Sequence, residues 1–256
     1  MLPNMTDTTN TFRYIILMVL SALTLSACSS TAPPAEKNAL YYFQKGEQEL
    51  EAGHHKEAIE NWQKVRDSFT SPELTALAEL KIADTQFANE LYIEAIASYE
   101  DFLKQHPASI RKSDVLFRLG QAHFQQILSA DRDQTATRNA LNTFEQLKKN
   151  YPGKVNPQEL DNYIQQCHNR LAENATYIGH FYLKTKRYPA AIARLKQVRT
   201  DYPQFNDMDH VIMYLAQAYY LNGNNEKAKV LFNKLEQTSD TDVRKKTAKF
   251  RKKYSI

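Results

Sequence analysis

The feature that most constrains the fold is a short pattern repeated along the chain. Three segments end in proline: FLKQHP at Pro107, QLKKNYP at Pro152 and QVRTDYP at Pro203. An alanine stands twelve residues before each proline, and a bulky residue stands four residues after each alanine. Two further units lack the proline or displace it. The five alanine and bulky pairs are Ala58 and Trp62, Ala95 and Tyr99, Ala140 and Phe144, Ala191 and Leu195, and Ala228 and Phe232.

A second pattern precedes each of these alanines. It consists of a small residue followed four positions later by a large apolar one, a spacing that places both on one face of a helix. Small residues let two helix axes approach, and the large side chains fill the space beside them. These pairs are Gly46 and Leu50, Ala83 and Phe87, Gly120 and Phe124, Gly179 and Leu183, and Ala216 and Tyr220. Both patterns together are typical of tetratricopeptide repeats. The sequence therefore predicts an all-α solenoid of five helix-turn-helix repeats, with all these residues in the core.

Two repeats depart from the common length. Gly120 and Ala140 are twenty residues apart, whereas the equivalent pairs in the other repeats are twelve apart, so eight residues are inserted around ILSADRDQT. In repeat four, the stretch from Pro157 to Thr185 contains no internal proline. It is expected to form one helix of roughly 40 Å at 1.5 Å per residue. We predict that this long helix links repeats one to three with repeats four and five.

The N-terminal segment has the layout of an export signal. Residues 14–25, YIILMVLSALTL, follow Arg13 and precede small residues and Cys28. The apolar run is shorter than the about 20 residues that a membrane span needs. The segment LSAC at 25–28 resembles a bacterial lipobox, which implies acylation of Cys28 and cleavage just before it. An ordinary signal peptide with a chance cysteine is the alternative. The lipobox resemblance also implies a destination: Ser29 is not the Asp that favours inner-membrane retention of enteric lipoproteins, so we expect a lipid-anchored protein on the periplasmic face of the outer membrane.

The sequence divides into five predicted segments. Residues 1–27 form the signal peptide, and residues 28–37 form the lipidated cysteine with a linker rich in small residues and proline. Repeats one to three occupy 38–152, repeats four and five occupy 153–240, and a basic helix occupies 241–256.

Charge is concentrated at the C-terminus. The formal net charge is +4, but the last fourteen residues, VRKKTAKFRKKYSI, hold seven Lys or Arg and no acid, which leaves the rest of the mature chain at about −3. A basic body suited to nucleic acid is therefore absent, and no nucleic-acid partner is predicted. The tail suits acidic lipid headgroups or an acidic partner. It also suits a solvated helix end that complements the helix dipole.

No catalytic motif occurs in the sequence. Nucleophile elbows, zinc-protease motifs, phosphate-binding loops and C-x-x-C pairs are all absent. The neighbours His54 and His55, like Cys167 and His168, do not face one another on a helix. Cys167 is interpreted as a buried helical thiol. We therefore predict no enzyme activity, no cofactor and no metal, and a function in binding other proteins.

Two long segments resemble a known family. They are DRDQTATRNALNTFEQLKKNYP at 131–152 and CHNRLAENATYIGHFYLKTKRYPAAIARLKQVRTDYP at 167–203. Together with the lipobox and the five repeats, they resemble the BamD family, also called YfiO or ComL, which are outer-membrane lipoproteins of the β-barrel assembly machinery. The resemblance implies a non-catalytic adaptor with three kinds of protein partner. These are the POTRA region of a BamA-like barrel subunit, other assembly lipoproteins, and the targeting segments of unfolded outer-membrane proteins.

The resemblance also implies a partner-binding arginine. In the family, the second helix of the fourth repeat carries an arginine that pairs with an acidic POTRA residue, and AAIAR places Arg194 at that position. Because Leu195 is a core residue, Arg194 is expected to point away from the packed face. If Arg194 is only solvated, the contact with the POTRA region is expected at Lys184, Lys186 and Arg187 in the neighbouring turn.

Three consecutive aromatic residues begin the first helix. Tyr41, Tyr42 and Phe43 cannot all face one core, because neighbours on a helix point in different directions. At least one is predicted to line a groove of repeats one and two that receives an extended client segment. The alternative is that the spare aromatic side chain caps the end of the solenoid.

A pilotin-type tetratricopeptide lipoprotein for secretin or pilus assembly is the competing functional reading. It would share the anchor and the solenoid. The inserted ADRDQT segment and the long fourth-repeat helix have no evident reason to occur in it.

Overall fold

The structure, a computed structural model, describes residues 37–256. The predicted signal peptide and Cys28 lie outside the described residues. The described part contains eleven helices and no strand. The helices are α1 (Ala39–Glu51), α2 (His55–Ser68), α3 (Pro72–Ala88), α4 (Tyr92–Gln105), α5 (Lys112–Gln125), α6 (Thr135–Asn150), α7 (Pro157–Lys184), α8 (Tyr188–Asp201), α9 (Met208–Leu221), α10 (Asn225–Leu235) and α11 (Thr241–Tyr254).

The first ten helices form five consecutive pairs, and each helix packs mainly on its neighbours in the chain. Pairs that contact only adjacent pairs build a solenoid. The prediction of an all-α solenoid of five tetratricopeptide repeats is therefore confirmed. Helix α11 contacts α9 and α10 and covers the last repeat.

The repeated alanine and bulky residues form the core between the two helices of each pair. All five alanines are at most 1 % exposed, and so are Trp62, Tyr99, Phe144, Leu195 and Phe232. A Cβ atom built on Gly46 would lie 2.4 Å from Nε1 of Trp62. The helix axes thus approach so closely that the bulky side chain occupies the place of the missing Cβ.

The large residues of the second pattern are less buried than predicted. Leu183 is buried, whereas the side chains at its four equivalents are only half-buried; these are Leu50, Phe87, Phe124 and Tyr220. Each of the five is the penultimate residue of its helix. Because packing covers the end of a helix on fewer sides than its middle, these residues form the rim of the core.

The insertion of repeat three lies between its two helices. Residues 126–134 connect α5 to α6, where the corresponding turns of the other repeats are 52–54, 89–91, 185–187 and 222–224. The buried Gln134 donates from Nε2 to the carbonyl oxygens of Ser129 and Arg132, at 2.9 and 3.1 Å. Asn174 on α7 donates to the carbonyl of Ala130 at 2.7 Å. The insertion is thus an ordered loop fastened to the long helix.

Helix α7 contributes to two apolar clusters. Asn156 caps its N-terminus by accepting from the amides of Gln158 and Glu159, and its 28 residues span about 42 Å. Leu160 and Cys167 belong to the cluster around Phe144 of repeat three. The second half of α7 belongs to the cluster of repeats four and five. The predicted linking helix is confirmed, because α7 belongs to both clusters. The predicted domain boundaries stay predictions.

Candidate partner-binding surfaces

The turn between α7 and α8 is a Schellman motif, the common hydrogen-bonded way to end a helix. The amide of Arg187 donates to the carbonyl of Tyr182 at 2.9 Å, and the amide of Lys186 donates to that of Leu183 at 3.2 Å. Lys186 has φ +60°, in the left-handed region that favours glycine. The turns of repeats one and five place Gly53 and Gly223 at this position. Repeat four therefore carries a charged side chain at a position that costs backbone free energy.

The basic side chains predicted for this turn point to solvent. Lys184, Lys186 and Arg187 are all exposed. None of them forms an ion pair with an acid between residues 37 and 256. The positive charge of Lys184 nevertheless acts on His180, one turn earlier, whose pKa is lowered first by burial and then by Lys184. The turn thus presents three positive charges with no compensating acid in the described chain.

Arg194 lies about 9 Å along the axis of α8 from its start, at six residues of 1.5 Å. Its neighbour Leu195 is fully buried, whereas Arg194 is half-buried. The Nη1 atom of Arg194 donates to Oε1 of Gln197 at 3.2 Å, and no carboxylate of the described chain pairs with it. Its guanidinium therefore keeps donors for a carboxylate from outside.

The positive charge of Arg194 contributes to the pKa of Tyr202. Burial raises the pKa of Tyr202 and the charge of Asp201 raises it further, while the positive charges of Arg138 and Arg194 lower it. The net direction is upward. Two arginines from different helices thus act on the same side chain at the C-terminal end of α8.

The three N-terminal aromatics differ in environment. Tyr42 and Phe43 pack against the core of repeat one, and the indole Nε1 of Trp62 donates to the carbonyl of Phe43 at 3.2 Å. Tyr42 also contacts Phe69, with ring centroids 5.7 Å apart. Tyr41 meets Tyr42 edge to face at 5.2 Å and lies outside the apolar cluster. Tyr41 is therefore the spare aromatic that the sequence predicted without identifying it.

Two exposed apolar features were not predicted. Tyr177 and Phe181 are 51 % and 52 % exposed on one face of α7, and their spacing of four residues could have indicated a shared face. A shallow pocket of about 330 Å³ lies beside Tyr219, Val230 and Leu231. Val230 is 68 % exposed there. The repeat pattern could have indicated this exposure, because Val230 lies two residues from Ala228 and Phe232, about 200° around the helix from the core face.

A polar cluster joins α9 to α11. Nδ1 of His210 lies 2.6 Å from Asp207, and Nε2 lies 3.1 Å from Asp242. Asp240 caps α11 by accepting from the amides of Asp242 and Val243. Asp207, His210 and Asp240 offer ligand atoms within 4.8 Å of one another, but each already has a structural partner. We therefore interpret the cluster as an attachment of α11 to α9. Sequence analysis missed this attachment because His210 and Asp242 are 32 positions apart.

Two remaining sequence features have clear structural outcomes. Cys167 is fully buried, as predicted, and burial raises the pKa of its thiol to about 12. None of the helices between residues 37 and 256 combines the length and the apolar character that a membrane crossing requires.

These features define a member of the tetratricopeptide-repeat class, with unpaired basic and aromatic side chains on its surface. The model of the YfiO family, described as outer membrane lipoprotein, matches residues 35–235. The chain therefore belongs to the YfiO family, which confirms the resemblance inferred from the sequence.

Individual relatives agree with the family match. An outer membrane protein assembly factor BamD from Caulobacter vibrioides is 26 % identical over 222 residues, which cover 84 % of this chain and 72 % of that protein. A BamD from Rickettsia prowazekii is 27 % identical over 180 residues, covering 70 % and 72 % of the two chains. Among solved structures, the TPR2AB domain of yeast Sti1 matches with a TM-score of 0.43 and 16 % identity, over 77 % of this chain and 76 % of that one.

Proposed function

We propose that this protein is a non-catalytic adaptor lipoprotein in the assembly of outer-membrane β-barrel proteins. The observation that carries the proposal is the family match over residues 35–235, together with relatives named as outer membrane protein assembly factors. A solenoid with exposed, unpaired basic and aromatic side chains suits an adaptor, because such surfaces bind other proteins. Its partners would be a BamA-like barrel subunit, other assembly lipoproteins and unfolded barrel proteins.

The anchor in this proposal is Cys28. Acyl chains attached there would hold the solenoid at the periplasmic face of the outer membrane, since two chains anchor stably where one does not. The Cys28→Ser variant should accumulate as an unprocessed precursor without acyl label. Metabolic palmitate labelling tests this, with Cys167→Ser as the control that should keep the label. Label persisting in the Cys28→Ser variant would exclude lipidation at this residue.

The partner-binding residue in this proposal is Arg194. Its planar guanidinium suits two-point pairing with a carboxylate of the POTRA region, and it has no acid partner within residues 37–256. Removing one member of a desolvated interfacial ion pair costs about 2 to 5 kcal/mol, whereas a rim charge costs little. Lys184, Lys186 and Arg187 would add a favourable field around this contact.

The experiment is a charge reversal with a matched control. Arg194→Glu should leave the helical circular dichroism spectrum and the melting temperature unchanged, because no core atom is altered, and should weaken copurification with the BamA-like subunit. Lys196→Glu makes the same charge change at an exposed position of α8 and should copurify normally. An acid-to-base change on the POTRA side should restore binding of the first variant. Normal copurification of folded Arg194→Glu would assign the interface to the turn residues instead.

The client surface in this proposal includes Tyr41. Tyr42 and Phe43 are engaged in the core of repeat one, and Tyr41 lies outside that cluster, so the ring of Tyr41 is the one proposed to stack on an aromatic client residue. A photocrosslinker at position 41 should capture peptides of barrel proteins, and one at the exposed position Lys56 serves as the control. A crosslinker at 41 that captured no such peptide would favour the cap reading. Copurification with a secretin ring, without a barrel subunit, would favour the pilotin function.

A further inference from the structure

Helix α11 is held on the solenoid by one face. Val243 and Thr247 are buried, and the ring of Phe250 lies 5.7 Å from that of Phe232 and 5.9 Å from that of Tyr220. These contacts, together with the Asp240 cap, give α11 a defined orientation. Its outward face is therefore a fixed surface of the molecule.

Most of the charges on α11 are uncompensated. Lys246 pairs with Asp242 at 2.6 Å, and Arg251 pairs with Glu236 at 2.5 Å. The other basic residues have no acid partner in the part of the chain that the structure describes. They are Arg244, Lys245, Lys249, Lys252 and Lys253.

Three lysines of this set lie on one face. Lys245 and Lys249 are four residues apart, and Lys252 follows three residues later. That spacing makes them neighbours on the side of the helix opposite Val243 and Thr247, whereas Lys253 lies over the ring of Tyr254. We call Lys245, Lys249 and Lys252 the lysine face.

A solvated helix end does not account for the lysine face. Like charges four residues apart destabilise a helix, so the stripe opposes the stability of α11. The helix dipole favours cations only in the last turn, which covers Lys252 and Lys253 but not Lys245 or Lys249. An anion from outside the chain would remove this repulsion.

The chemistry of the face indicates what kind of anion it fits. Lysine is depleted in protein interfaces, whose centres contain aromatic and apolar side chains, and the only apolar residue between Lys245 and Lys249 in the sequence is the exposed Ala248. Lysine is a mobile point charge, unlike the rigid fork with which arginine pairs with a carboxylate. Mobile charges without an apolar anchor suit a laterally mobile array of phosphates better than a shaped protein surface.

We propose that the lysine face of α11 docks on anionic phospholipid headgroups of the membrane. The inference rests on the outer-membrane association of the family and does not depend on the proposed role of Arg194. It gives the chain a second membrane contact near its C-terminus, far along the sequence from Cys28.

Vesicle co-sedimentation tests the proposal. The chain from Ser29 to Ile256 retains all eleven helices and lacks the proposed acyl anchor. It should bind vesicles of phosphatidylcholine and phosphatidylglycerol, bind poorly to phosphatidylcholine alone, and lose binding as salt screens the charges. Replacing Lys245, Lys249 and Lys252 with Gln should lower the partition coefficient by roughly 100-fold, the change expected for three lysines at an anionic surface.

A matched triple variant controls for net charge. Lys104, Lys149 and Lys154 are exposed lysines of other repeats, and their change to Gln lowers the net charge equally. This control should keep vesicle binding, with both variants showing wild-type circular dichroism. Equal losses in both variants, or binding that ignores phosphatidylglycerol, would overturn the proposal. Wild-type vesicle binding by the lysine-face variant, with loss of a copurifying acidic protein, would overturn it and assign the face to that protein.

Discussion

The position of a Cβ atom on Gly120 lies 2.4 Å from Cε1 of Phe144. The two residues belong to the two helices of repeat three, so the ring of Phe144 lies directly against the backbone of α5. Gly179 has the same relationship to Leu195, with a nearest distance of 2.7 Å. Glycine at these two positions is therefore a packing requirement imposed by the bulky residue of the second helix of the same repeat, Phe144 or Leu195.

Gly120→Ala is expected to destabilise the protein. Helix propensity alone would favour alanine by about 1 kcal/mol, but an added methyl group in a filled core typically costs about 1 to 3 kcal/mol. Because the contacting atoms belong to a buried ring, the cost of the steric clash should exceed the gain in helix propensity. Urea unfolding should show a lower midpoint at an unchanged slope. A higher midpoint would mean that α5 and α6 can separate at little cost.

Lys186→Gly is expected to stabilise the protein by up to about 1 kcal/mol, because glycine adopts positive φ without the penalty of a side chain. Glu90 has φ +62° in the corresponding turn of repeat two, so Glu90→Gly is a matched control with a similar gain in melting temperature. Under the proposed function, only Lys186→Gly should weaken copurification with the barrel subunit. Equal binding by both variants would leave Lys186 without a role there.

The contribution of His210 to stability should decrease as pH rises. Partial burial lowers the pKa of His210, but its hydrogen bonds to Asp207 and Asp242 and the charge of Asp207 outweigh this effect, so the folded-state pKa is raised. The stabilisation is thus fully present below the unfolded pKa of about 6.5 and is lost as pH rises through the folded value. The difference in urea midpoint between wild type and His210→Gln should shrink from about pH 6 to about pH 8.

His180 supplies a control of opposite sign. Its ring stacks on Tyr214 at 4.1 Å, and burial followed by the charge of Lys184 lowers its pKa. The folded state therefore favours the neutral ring, and stability falls as pH falls through the unfolded pKa of about 6.5. The urea midpoint of wild type should rise relative to that of His180→Gln as pH rises. If the midpoint difference from wild type changed with pH in the same direction for His210→Gln and His180→Gln, this account would be contradicted.

The thiol of Cys167 should be unreactive in the folded protein. It is fully buried, and its pKa is raised to about 12, first by burial and then by the charge of Glu145. Thiolate is the reactive form, so maleimide labelling of the chain from Ser29 at neutral pH should be slow and should accelerate in urea. Rapid labelling without urea would show that α6 and α7 separate readily, since Cys167 packs in their shared cluster.

The repeat architecture could be predicted from the sequence because it depends on local spacing. Alanine, a bulky residue four positions later and a following proline define a helix, its buried face and its end within about fifteen residues. Pairs such as Ala58 and Trp62 therefore indicated which residues are buried, and the proline-free stretch from Pro157 indicated the long helix. Family membership also followed from the sequence, since 131–152 and 167–203 carried a recognisable order of residues.

The contacts between distant segments were decided by the tertiary structure alone. His210 meets Asp242 across 32 positions, and Asn174 meets the carbonyl of Ala130 across 44. Neither pair has a periodicity to reveal it, because such contacts depend on how successive repeats stack. The different environments of Tyr41 and Tyr42 have the same cause. Successive residues of a helix point about 100° apart, so the two side chains cannot share one environment. Which of them lies outside the core depends on where α2 and α3 pack.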